Sequence, residues 1–72
     1  MNMNIYAKPG DKVMVTEESS RHGYDHNKAA VKERLSLNTV YIVEEMEVHN
    51  FSSSVKLQGI DWWFNTVNFE DA

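Results

Sequence analysis

The 72-residue chain contains no cysteine. That absence excludes disulfides, thiolate metal sites and a cysteine nucleophile. A secreted domain this small more often carries disulfides, so an intracellular setting is expected. Long apolar runs are also missing. The N-terminal stretch MNMNIYAKPGDK is too polar for a signal peptide, and nothing further on is apolar enough to span a bilayer. The expectation is a soluble cytoplasmic protein with no membrane association. Basic residues are few, seven against eleven acidic ones, giving a net charge of −4. Phosphate binding needs a positive surface, so a general nucleic-acid binder is disfavoured. There is no internal repeat, low-complexity tract or linker, and 72 residues make a single domain spanning 1–72. Such a chain lies near the lower limit of what folds without disulfides or metal.

What the chain does contain is strand alternation, concentrated in residues 55–70, VKLQGIDWWFNTVNFE. Val55 and Leu57 flank Lys56, so in an extended chain both apolar groups face one side. Gly59 and Asp61 then supply a reversal. Beyond it Trp62 and Phe64 share one face and Trp63 takes the other, which leaves at least one large ring near the surface. Residues 1–10 read as a lead-in, with Pro9-Gly10 marking a turn and Ile5 and Tyr6 available to pack on a neighbour. Residues 12–18, KVMVTEE, alternate as a first strand, and residues 19–38 form a long loop. Within that loop residues 25–35 favour a short helix, with Asp25 as N-cap and Val31 and Leu35 on one face. Residues 40–49, VYIVEEMEVH, carry two apolar pairs, Tyr41/Val43 and Met46/Val48, separated by three residues instead of two. A bulge near Glu44-Glu45 would restore one inward face. Residues 50–54 make a turn in which Phe51 is a candidate lid.

The order of these elements is a first strand KVMVT, a long loop, three successive antiparallel strands and a closing FNTVNFED. It resembles the SH3-like small barrel over residues 12–71. The resemblance implies a mainly β fold, a small five-stranded barrel with a short helix in the long loop after the first strand. The combination YxV, VxL and WFNTVNFE is similar to a group of small bacterial and phage proteins that has no activity to carry over. Peptide-binding SH3 domains carry acidic residues and aromatics where this loop carries Arg21, Lys28, Lys32 and a helix, so a proline-rich ligand is not implied.

No catalytic, cofactor or metal motif accompanies the fold, and an enzyme is not expected. His22 and His26 are four apart, but Gly23 lies between them at the loop–helix junction and argues against a shared metal. Glu17-Glu18 and Glu44-Glu45 are adjacent strand pairs that point to opposite faces, which suits solubility rather than paired-carboxylate chemistry. Charge is segregated: residues 21–34, RHGYDHNKAAVKER, carry a balance of +2 and the rest of the chain −6. Arg21, His22, Tyr24, Lys28, Lys32 and Arg34 on this loop, with Trp63, are the candidate partner-binding residues. The function expected is a non-enzymatic binding module of phage or mobile-element origin that engages a protein partner. The alternative is sequestration of a small anionic ligand such as a nucleotide by Arg21, Tyr24, Lys28 and Arg34. Residues 40–43 are apolar on both sides, so the strand needs two covers, supplied by the 25–35 helix or by a second subunit in a homo-oligomer.

Overall fold

Alternation decides which side chains build the core. In the computed structural model, which describes residues 3–72, five strands form: β1 (Lys12–Met14), β2 (Val40–Val48), β3 (Ser53–Leu57), β4 (Trp63–Asn65) and β5 (Glu70–Asp71). They make one antiparallel sheet in the order β4-β3-β2-β1-β5. Val13, Val43, Val55, Leu57 and Phe64 point to the same side and are buried, joined there by Val15, Val31 and Phe69. Phe64 and Phe69 meet edge to face, their centroids 5.8 Å apart. Each such side chain contributes about 1.5–3 kcal/mol relative to exposure, which is how so short a chain holds together.

The irregularity anticipated in β2 is present. Val43 pairs with Leu57, yet Glu45 pairs with Lys56 and Met46 with Val55, so Glu44 is an extra residue on the β2 side. The bulge turns Tyr41, Val43 and Met46 toward one core. It also sets the Glu44 carboxylate 3.3 Å from the Lys56 ammonium, with Asp61 at 3.8 Å. The lysine is therefore held above its ordinary pKa, first by the hydrogen bond to Glu44 and then by the charge of that group.

The long loop contains a 3₁₀ turn, Ser19–Arg21, and one helix, α1 (Asp25–Arg34). The strand expected over residues 12–18 ends at Met14. Thr16 and Ser19 satisfy each other in a tight turn, each backbone N–H donating to the other's hydroxyl at 2.8 and 3.1 Å, so Glu17 and Glu18 leave the sheet. The N-cap of α1 is Tyr24, not Asp25. Asn27 reaches back, its Oδ1 accepting the Tyr24 N–H at 3.0 Å, and Asp25 becomes a first-turn residue where its charge suits the helix dipole. Gly23 enters the helix with φ +83°.

The structure is mainly β with one short α-helix, but the sheet is not closed into a barrel. β4 and β5 are its two edges. A second 3₁₀ turn, Thr66–Asn68, carries the chain away from β4 after a single short strand, and β5 pairs instead with β1, Val13 facing Asp71 and Met14 facing Glu70. Neither edge is bare. α1 packs beside β4 and both 3₁₀ turns, with Asn65 donating to Asn27 at 3.4 Å. At the other edge the Met3 N–H donates to the Phe69 carbonyl at 2.9 Å and the Asn4 N–H to the Asp71 carboxylate at 3.3 Å. Met3 and Ala7 are the lead-in residues that reach the core, whereas Ile5 and Tyr6 stay outside. The first two residues of the expected lead-in lie outside the described residues. No helix among the described residues is long and apolar enough to cross a membrane.

Candidate functional site

The backbone before β4 determines what is presented. The chain reverses after Leu57, whose carbonyl accepts the Ile60 N–H at 3.2 Å, and the Trp62 N–H then donates to the Ile60 carbonyl at 3.0 Å. Strand alternation therefore begins only at Trp63. Phe64 turns inward, Trp63 outward, and Trp62 does not follow Phe64 into the core. Both tryptophans remain accessible, Trp62 at 43% and Trp63 at 39%. The Arg34 guanidinium lies 3.7 Å from the centroid of the Trp62 ring, a cation–π contact that ties the end of α1 to the start of β4.

At the other end of the helix, Tyr24 and His26 stack almost parallel, 5.8 Å apart with 7° between their planes. These two rings, Ala30, Trp62, Trp63 and Ser54 line a groove of ≈ 400 Å³ between α1 and the β3–β4 hairpin. Ser52 completes its rim, and next to it Phe51 is fully exposed at the turn between β2 and β3. Beneath the groove, buried Ser53 and Thr66 share a hydroxyl–hydroxyl hydrogen bond of 2.6 Å. This surface is aromatic, with hydroxyls at the rim, and four rings converge on it from two elements.

A different face of α1 carries Lys28 and Lys32. With Ser20, Val31, Leu35 and Leu37 they line a separate groove of ≈ 350 Å³. The seven residues expected to act together are thus divided. Tyr24 and Trp63 belong to the aromatic groove, with Arg34 beside it over Trp62; Lys28 and Lys32 belong to the second groove. Arg21 is turned to Glu17, 2.8 Å away, and Arg34 also meets Glu33 at 3.2 Å. His22 ends the first 3₁₀ turn, where its carbonyl accepts Asn68 Nδ2 at 3.0 Å while the same amide donates to the Ser19 carbonyl at 3.2 Å. His22 and His26 are consequently not one helical pair, because α1 begins between them. Val40 remains 49% exposed, so α1 does not cover that side of β2.

Trp62, His26 and Leu37 are the site residues that sequence reasoning missed. Trp62 follows from the length of the turn, His26 from its stacking on Tyr24, and Leu37 from where the chain leaves the helix. Leu37 was the most readable of these, a large apolar residue just past the helix end. Away from both grooves the Glu70 carboxyl is held below its ordinary pKa, chiefly by the Thr16 hydroxyl that donates to it.

A family model described as Bacteriophage T4 protein Y07B matches residues 4–71. No curated protein and no solved structure matches the chain. The match runs through every strand, α1 and both grooves, and it accords with the resemblance to small phage proteins. The chain belongs to the Bacteriophage T4 protein Y07B family.

Proposed function

We propose that this chain is a non-enzymatic, phage-encoded binding module that engages a protein partner through the aromatic groove between α1 and the β3–β4 hairpin. The observation that carries this reading is the convergence of Tyr24, His26, Trp62 and Trp63 on one groove, with Tyr24 74% exposed. Tyrosine and tryptophan supply most of the energy at interface centres, because they bury large area with few rotatable bonds. Two half-exposed tryptophans beside exposed Tyr24 make a contiguous apolar patch of the kind that marks an interaction surface. The strand order also supports an SH3-like reading of the sheet, with bent β2 shared between β1/β5 on one side and β3/β4 on the other. Under that reading the long loop after β1 and the turn before β4 frame the binding surface. Sequestration of a nucleotide has less support, since Arg21, Tyr24, Lys28 and Arg34 are spread over different faces and both arginines already meet carboxylates.

The test is an affinity pull-down with tagged chain from a lysate of the phage host, run beside a Tyr24→Ala/Trp63→Ala variant whose folding is checked by circular dichroism. One stoichiometric partner, captured by the native chain and lost with the variant, is the expected result. Capture of that partner undiminished by the variant, or of none, would refute the reading.

A further inference from the structure

The second groove has chemistry of its own. Its floor is apolar, built from Val31, Leu35 and Leu37, and Leu37 is a large side chain left 47% exposed. Its rim carries Lys28 and Lys32, one helical turn apart and therefore on the same side of α1. These are the least neutralised cations of the basic loop. Arg21 and Arg34 sit 2.8 and 3.2 Å from carboxylates, Lys28 reaches Asp25 only at 4.0 Å, and Lys32 has no ion pair among the described residues.

We infer that this groove docks an acidic amphipathic segment of a protein partner, with one large apolar side chain seated on Val31, Leu35 and Leu37 and flanking Asp or Glu carboxylates paired to Lys28 and Lys32. The charge pattern selects this occupant. A free inorganic anion would gain nothing from the apolar floor. An anionic membrane is recognised by clusters of four or more basic residues, and this rim has two on a chain of net charge −4. Nucleic acid is disfavoured by the same net charge. An apolar anchor between two carboxylates matches both halves of the groove at once. The surface is distinct from the aromatic groove, and the inference stands whether or not that groove binds.

A display library of random dodecapeptides selected on the immobilised chain tests it, followed by titration of the enriched peptides against variants. The expected consensus is a Leu, Ile or Phe flanked by Asp or Glu. Affinity should fall about tenfold or more in Lys28→Glu/Lys32→Glu, by a smaller factor in Lys28→Gln/Lys32→Gln and in Leu37→Ser, and with added salt. Tyr24→Ala/Trp63→Ala should leave it within about twofold, which separates this site from the aromatic groove. All substituted side chains are at least partly exposed, and circular dichroism verifies each fold. Neutral or basic consensus sequences, acidic peptides that bind the charge-reversed variant unimpaired, or no enrichment would overturn the inference. Sedimentation of the chain alone covers the last alternative: a dimer dispersed by Lys28→Glu/Lys32→Glu would place a second copy in the groove and overturn it too.

Discussion

Replacing Gly23 with alanine tests how the loop is joined to α1. Gly23 has φ +83°, and a Cβ built there meets Asn27 Oδ1 at 3.0 Å, Asn27 Cβ at 3.2 Å and Val67 Cγ2 at 3.3 Å. Two effects add. A left-handed backbone costs a residue with a Cβ about 1 kcal/mol relative to glycine. The new methyl also displaces the Asn27 amide, which accepts the Tyr24 N–H and bridges to Asn65, and loss of such a cap costs about 1 kcal/mol. Gly23→Ala should therefore destabilise by about 2 kcal/mol, a shift of about 2 M in the urea midpoint for an m-value near 1 kcal/mol/M. Gly59 is the control. It has φ +82°, and a Cβ built there meets nothing within 4 Å, so Gly59→Ala should cost only the backbone contribution, about 1 kcal/mol. In an Asn27→Ala background the cost of Gly23→Ala should fall toward that same value. Equal costs at Gly23 and Gly59 in the native background would refute the reasoning, because the Asn27 contact would then carry no energy.

The same geometry sets four other expectations. Thr66→Val should leave the buried Ser53 hydroxyl without its partner and cost about 1–3 kcal/mol in chemical denaturation, while Ser53→Ala/Thr66→Val recovers most of that loss. Glu70 is held below its ordinary 4.5, so its contribution is present above that pH and lost as pH falls through the folded-state value; Thr16→Val should flatten this acid limb in melting curves. Lys56 is raised above 10.5, so its contribution is present below that pH and lost as pH rises through the folded-state value; Glu44→Gln removes the leading cause and should shrink the alkaline limb, Asp61 and Glu45 sustaining the remainder. Deleting Glu44 removes the bulge but leaves Val43 and Met46 two apart in an unbroken register with Leu57 and Val55, so both still face the core and the variant should keep a single cooperative melting transition; a transition that is lost would refute this reading of the register.

The sheet was legible because burial imposes a period of two. Val55, Leu57 and Phe64 advertise one face, and the three-residue gap between Val43 and Met46 marks the bulge at Glu44 directly. Residues 25–34 were legible as a helix through Ala29, Ala30 and the four-residue spacing of Val31 and Leu35. What stayed hidden depends on contacts between distant segments. Asp25 is as good an N-cap as any by residue type, yet Asn27 satisfies the Tyr24 N–H and moves the helix start by one residue. Trp62 alternates with Phe64 in the sequence, but a hydrogen bond to the Ile60 carbonyl takes it out of the strand. Arg21 through Arg34 form one basic stretch in the sequence, and winding them into a 3₁₀ turn and a helix sends their side chains to different faces. The open sheet was also unreadable, because whether β5 pairs with β1 or β4 depends on where the second 3₁₀ turn directs two residues.

Both sheet edges have neighbours, and this bears on how the proposed partner could be engaged. α1 flanks β4, and Met3 and Asn4 hydrogen-bond along the segment that contains β5. A partner's strand added at either edge would meet one of these neighbours, which favours the proposed recognition through side-chain surfaces. α1 is suited to that task. Of its ten residues only Val31 is buried, so the helix adds little to the core it leans on. Its remaining faces form one wall of the aromatic groove and one wall of the lysine-rimmed groove. A helix that contributes a single buried side chain but borders both grooves is positioned for presentation more than for packing. Substitutions on its exposed faces should therefore change binding with little change in stability, whereas substitutions at Val31, which is buried, should lower stability.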